Sequence, residues 1–226
     1  MIKTFLILVI LQNFLFSSQQ IILVISKNYT NSKAKLTCYE DAKKVFKTID
    51  VNLGKNGLGF GLGEIILKQS EQSIVKKEGD KKAPIGIFKL TNTFGYDKNG
   101  KSKLKYTHLE KNLICVDDSH SKFYNQIIQM PKNKPKSFEI MRRKDIQYKL
   151  GVVVGHNQEQ KKQAGSCIFL HVQKSIDAPT VGCTSMSFKN MKKIVEWLDE
   201  SKNPTLIQIP KSSLEEVKKL YPELPI

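Results

Sequence analysis

Residues 167–191 read C-I-F-L-H-V-Q-K-S-I-D-A-P-T-V-G-C-T-S-M-S-F-K-N-M. In the first six, every residue but His171 is apolar or carries a thiol, a short continuous run that suits a strand buried on both faces. Alternation puts Cys167, Phe169 and His171 on one face, with Ile168, Leu170 and Val172 on the other. A polar loop with Pro179 follows, then a Gly182-Cys183 turn flanked by Thr180, Thr184 and Ser185. A strand that aims an imidazole and a turn that exposes a thiol are the parts of a cysteine nucleophile site, with Cys183 as nucleophile and His171 as base. Gly182 lets the chain turn tightly and leaves amides open, as an oxyanion hole needs. A free thiol titrates near about 8.5 and needs help to ionise at neutral pH. The hydroxyls of Thr180, Thr184 and Ser185 are read as giving that help or as orienting a substrate. The plainer alternatives are a core histidine satisfied by backbone groups and a small cysteine buried in a turn or disulfide-bonded. Cys167, among apolar neighbours, fits the inert description better than Cys183 does. A zinc site from Cys167, His171 and Cys183 lacks the close C-x-x-C pair that such sites use.

Moving outward, residues 150–155 form another buried strand, and His156 and Asn157 at its end are expected either to line the same cleft or simply to turn the chain. Downstream, Ser187 caps a helix whose Phe188, Met191, Ile194, Val195 and Leu198 make one apolar core stripe. Residues 206–209 are a strand, and Ser213 with Glu216 reads as a capping box for a last helix ending before Pro222. Upstream, 21–26, 35–39, 45–51, 85–90 and 113–116 are strand-like. Residues 54–63 hold five glycines without a phosphate-loop ending, which makes them a tight β-connection. Residues 97–102 are a turn, 121–128 a short helix and 130–137 an exposed loop. Asp117 and Asp118 point to opposite sides of an extended chain and are poor metal co-ligands. His108 and His120 have no partner pattern. The pattern predicts one mainly β domain over 21–226 with two or three helices.

The chain has 37 Lys+Arg against 21 Asp+Glu, a net charge of +16. Such a charge favours polyanions: nucleic acid, anionic membrane surfaces or acidic wall polymers. No zinc-finger spacing or RNP-like aromatic strand accompanies it and the lysines are scattered, so no nucleic-acid partner is expected. Residues 1–20, a lysine then an apolar stretch broken by Gln12 and Asn13, read as a secretory signal peptide, with an uncleaved anchor as the alternative. No later segment is apolar enough to span a membrane. The expected location is therefore secreted, periplasmic or wall-associated. There, disulfides are allowed; Cys38–Cys115 is the expected pair, leaving Cys183 free. Asn28-Tyr29-Thr30 is a glycosylation sequon, meaningful only in a eukaryotic secretory pathway.

The segment 171–186, H-V-Q-K-S-I-D-A-P-T-V-G-C-T-S-M, resembles the active-site signature of the L,D-transpeptidase (YkuD-type) catalytic domain family. Glu78-Gly79-Asp80 through Ala83-Pro84-Ile85-Gly86-Ile87-Phe88 is similar to the family's glycine-aspartate…proline-x-glycine-x-phenylalanine segment. Residues 148–157 and Gly165-Ser166-Cys167-Ile168-Phe169-Leu170-His171 resemble a subgroup with a G-S-x-I-F-L-H strand. The likeness implies a β-sandwich-like fold, Cys183 as nucleophile, His171 as base and backbone N–H groups near Gly182 and Cys183 for the oxyanion, with Ser166 among the substrate-binding positions and no cofactor or metal. It implies peptidoglycan stem peptides as substrate and carbapenem-type β-lactams as inhibitors. An amine acceptor gives a cross-link; water makes the same site an L,D-carboxypeptidase or a wall-degrading enzyme. A secreted, non-catalytic binder of wall polymers is the other alternative. Two departures stand out: Ser185 replaces an arginine common in the family, and the loop between His171 and Cys183 is short.

Overall fold

The computed structural model describes residues 18–69 and 73–226, so nearly all of the expected leader, residues 1–20, lies outside the described residues. Strands in chain order are β1 (Gln20–Ser26), β2 (Lys33–Glu40), β3 (Lys43–Lys44), β4 (Ile49–Asn52), β5 (Leu58–Phe60), β6 (Ala83–Gly95) and β7 (Lys105–His108). After them come β8 (Leu113–Cys115), β9 (Ile127–Gln129), β10 (Glu139–Ile140), β11 (Leu150–Val154), β12 (Phe169–Val172), β13 (Thr184–Met186) and β14 (Thr205–Pro210). The helices are α1 (Phe188–Trp197) and α2 (Leu214–Leu220).

The mainly β, two-helix expectation holds, and its sandwich-like part takes the form of one sheet that closes. The order β1-β14-β6-β11-β12-β13-β4-β2 returns to β1, because β2 also pairs antiparallel with β1. Closure removes exposed edges. A second sheet, β10-β8-β9, is separate. The two faces of β12 divide the molecule. Leu170 and Val172 enter the larger core with Val152 and Val154 of β11 and Met191, Ile194 and Val195 of α1. Phe169 joins a smaller cluster with Phe94, Leu109, Cys115, Met141, Tyr148, Cys167 and Cys183.

Several local expectations yield to tertiary bonds. Residues 121–128 are not a helix: Asn125 sits at φ +61, and its side chain bonds the carbonyls of His156 and Asn157 and the amide of Cys167. The strand expected from Cys167 starts at Phe169, because Cys167 is left-handed at φ +55. Residues 45–51 give strand only from Ile49. Ser187 caps α1 by accepting from the Asn190 amide, but Phe188 stays 38% exposed and leaves the stripe. The capping box at Ser213 does not form; Glu216 accepts from the Lys68 amide instead. The expected Cys38–Cys115 bridge is replaced by Cys115–Cys167. Cys38 lies in the larger core and Cys115 in the smaller cluster, so the closed sheet stands between them.

Candidate active site

β12 pairs antiparallel with β11 and parallel with β13, and the latter register sets His171 opposite Ser185. Side chains on a strand alternate, so Cys183, two residues before Ser185, shares the face of Ser185 and His171. The turn before β13 is fixed from both sides. The Thr180 amide donates to the Leu53 carbonyl and the Thr180 carbonyl accepts from the Lys55 amide. The Thr180 hydroxyl donates to the Cys183 carbonyl at 2.6 Å and accepts from the Gly182 amide at 3.1 Å. Gly182 has φ +151, and a Cβ there would lie 3.2 Å from the Lys82 carbonyl, so this position requires glycine.

Cys183 is a free cysteine, 4% exposed. Its Sγ accepts from the Phe169 amide at 3.3 Å and donates to the Cys167 carbonyl at 3.4 Å. Burial, with the Glu139 carboxylate nearby, pushes the thiol up to about 12, against the pull of the Phe169 amide, Lys76 and Arg143. His171 is also 4% exposed, and burial lowers it to about 4. Its Nδ1 lies 2.8 Å from the Val172 carbonyl, and a carbonyl only accepts, so Nδ1 carries the proton and Nε2 the lone pair. No hydrogen bond joins the thiol to the imidazole among the described residues; the ring packs edge-on against Tyr148, centroids 5.4 Å apart. The pair therefore rests neutral, not as the ionised sulfur the sequence suggests.

The other expected site residues divide. Ser185 is 1% exposed, and its Oγ has no hydrogen-bond partner among the described residues. Thr184 alternates to the other face of the strand, where its hydroxyl donates to Gln208 at 2.6 Å. Thr180 staples the turn, and in doing so occupies the Gly182 amide expected to be open. Ser166 donates to Glu78, which also accepts from the Tyr124 hydroxyl. His156 does not share a cleft with His171. It lines a cavity of about 470 Å³ with Gly155, Cys167 and Phe169, which neither His171 nor Cys183 lines. Both its ring nitrogens are used, Nδ1 accepting from the Leu62 amide and Nε2 donating to the Ala164 carbonyl. Asn157, left-handed at φ +52, bonds Lys161 and Gly165 and braces the same loop.

The disulfide consumes the Cys167 sulfur and removes it from any zinc set. Asp118 accepts from the His120 and Lys136 amides and organises a loop.

Three residues around the thiol, Glu139, Arg143 and Lys76, escape sequence reading. The Tyr148 hydroxyl donates to the Glu139 carboxylate, and Arg143 stacks over the Tyr148 ring at 5.2 Å. Burial raises the Glu139 carboxyl. Lys76 is the third outsider: 4% exposed, it pairs with Asp80 at 2.6 Å. Its only signal is its place just ahead of Glu78-Gly79-Asp80.

Residues 20–209 match the YkuD family, the L,D-transpeptidase catalytic domain, and the chain belongs to that family. No curated protein and no solved structure matches it.

Proposed function

We propose that this protein is a cysteine-dependent L,D-transpeptidase acting on peptidoglycan stem peptides. Within the family assignment, one observation carries the reading: a free thiol and a neutral imidazole with a fixed tautomer share one face of two adjacent parallel strands. The Sγ proton passes to Nε2 of His171, and the sulfur attacks the carbonyl carbon of the stem-peptide bond to be cleaved. The tetrahedral oxyanion needs a donor, and with the Gly182 amide taken by Thr180, the Cys183 amide is the one assigned. Collapse expels the leaving amine, which takes the proton from His171, and leaves a thioester. An amine from a neighbouring stem then forms the cross-link and restores the thiol; water in its place gives the carboxypeptidase outcome.

Burial raises the Cys183 thiol and lowers the His171 imidazole, so passing the proton between them is uphill while both stay buried. The closed arrangement is thus a resting state, and the donor peptide reaches the sulfur when the covering cluster around Tyr148 and Met141 shifts. Ser185, buried without a partner, is the hydroxyl left to meet a polar group of the substrate. A secreted location is part of the proposal, supported by the Cys115–Cys167 bridge, since such bonds persist in oxidising compartments. Among the described residues no helix is long and apolar enough to cross a membrane.

The test is incubation with muropeptides and mass analysis for dimers and tripeptides, with a carbapenem adduct sought on Cys183. Wild type should give product and adduct, and Cys183→Ala neither. Product that survives Cys183→Ala overturns Cys183 as the nucleophile, and unchanged muropeptides overturn the enzyme reading in favour of a wall-polymer binder, which the charge of +16 would suit.

A further inference from the structure

Beside the Gly182–Cys183 turn lies a charge that the acyl-transfer scheme leaves without a task. Lys76 is 4% exposed. Its Nζ donates to Asp80 at 2.6 Å and to the Lys77 carbonyl at 2.8 Å, which uses two of the three N–H groups of an ammonium. Asp80 is pinned in turn by the amides of Lys77 and Lys82. The lysine stem passes Gly165, where an added Cβ would lie 3.1 Å from Cε. The ammonium ends 3.9 Å from where a Cβ on Gly182 would stand. Burying an ion pair costs several kcal/mol in desolvation, and an apolar side chain of the same length would fill the slot without that penalty. Packing alone does not explain a lysine here.

The charged and titratable groups facing the sulfur come from three directions. Glu139 and Arg143 come from the segment around β10, Tyr148 from the turn before β11 and His171 from β12 of the closed sheet, and Lys76 from the loop before β6. Arg143 is tied to Asp145 and its side chain is 37% exposed, so solvent screens it. Lys76 is the buried cation. The groups around Lys76 itself are Asp80 and His156.

We propose that Lys76, held by Asp80, is an electrostatic positioning residue for acyl transfer at Cys183, its buried ammonium favouring the thiolate and the tetrahedral oxyanion at the adjacent turn. This rests on the reading of Cys183 as nucleophile. Lys76 transfers no proton: the Sγ proton goes to His171, the sulfur pair forms the bond to carbon, and the ammonium stays charged throughout.

The experiment follows alkylation of Cys183 by iodoacetamide against pH, by mass, in wild type, Lys76→Met, Lys76→Arg and Asp80→Asn, with thermal melting as the check on folding. The midpoint is read rather than the rate, because the rate at a buried thiol also reports opening. Lys76→Met should raise the midpoint by about one pH unit, a tenfold smaller thiolate fraction at neutral pH. It should also lower kcat on muropeptides with KM little changed. Lys76→Arg should restore most of both, and Asp80→Asn should move the midpoint down. That opposition of sign is what a merely structural ion pair would not produce. If Lys76→Met does not fold, Asp80→Asn decides: a lower midpoint supports the proposal, an unchanged or higher one overturns it. A wild type that turns over muropeptides with a midpoint blind to Lys76 overturns this proposal alone. A wild type that leaves muropeptides unchanged overturns the Cys183 reading, and the role of Lys76 in acyl transfer with it.

Discussion

His156 and His171 are buried alike, at 1% and 4% exposure, and burial pushes both down to about 4. Their surroundings differ. The His156 loop is held by many bonds: both ring nitrogens are engaged, Asn157 clamps the same turn, and Asn125 ties the two carbonyls. The β12–β13 region leaves capacity unspent. Ser185 Oγ has no hydrogen-bond partner among the described residues, beside a His171 whose Nδ1 bonds the Val172 carbonyl with the Gln147 carbonyl also acting on the ring, and a Cys183 that accepts from the Phe169 amide and donates to the Cys167 carbonyl. Saturated networks rigidify, whereas an unspent donor or acceptor in a buried place is a cost that a fold keeps for a reason. Burial and a depressed pKa do not separate a structural histidine from a base; the register that sets His171 opposite Ser185, on the face of the Cys183 thiol, does.

The contrast breaks most visibly on substitution of the two histidines. His171→Gln should lower Cys183 acylation about 10²- to 10⁴-fold, the usual contribution of a general base, with folding retained. His156→Ala should do the reverse. It orphans the Leu62 amide and the Ala164 carbonyl, costs about 3 kcal/mol in urea denaturation, and leaves acylation per folded molecule within a few fold. Loss of acylation in a stable His156→Ala protein would end the distinction.

Acid sharpens the point, since here the two histidines should behave identically. Unfolded imidazole titrates near about 6.5, while both folded rings stay neutral to about 4. Between those values the unfolded chain binds more protons, so stability is full above the upper one and falls as pH drops toward the lower, by on the order of 3 kcal/mol per histidine. Glu139, raised by burial, works in the opposite sense, because its folded carboxyl keeps its proton to higher pH. Urea midpoints at neutral and mildly acidic pH measure the balance, and His171→Gln should remove about half of the histidine slope. A flat wild-type profile would contradict the neutral burial of both rings.

The smallest expected effect is at Thr180. Thr180→Val removes the bonds to the Cys183 carbonyl and the Gly182 amide, costs about 1–2 kcal/mol, and frees that amide. Acylation should change by only a few fold, up or down; a loss as large as that of His171→Gln would make Thr180 part of the chemistry rather than of the turn.

Several of the strands could be read from the chain because their signals are short-range, while β3, β5, β7, β9, β10 and β13 carry none. Period-two alternation and apolar runs located β1, β2, β11, β12 and β14 to within two residues at each end. The failures share a cause. Residues 121–128 have a plausible helical pattern, yet Asn125 is claimed by carbonyls 31 and 32 positions away. Lys76 sits in K-K-E-G-D, where nothing local marks it for burial; its slot lies against Gly165 and Gly182, both far along the chain. The sequence marks Ser185 as one of three hydroxyls near the thiol and as a replacement for the family's arginine; only the register sets it opposite His171.

From the linear chain alone come the family, the mainly β character, and the thiol and imidazole around which the chemistry is proposed, because ordered motifs and side-chain alternation are properties of neighbours in sequence. The folded structure decided which cysteines pair, which histidine lies beside the thiol and which lysine is buried. Each of those depends on which face of a closed sheet a residue meets and what arrives there from a distant segment, and no local period encodes that.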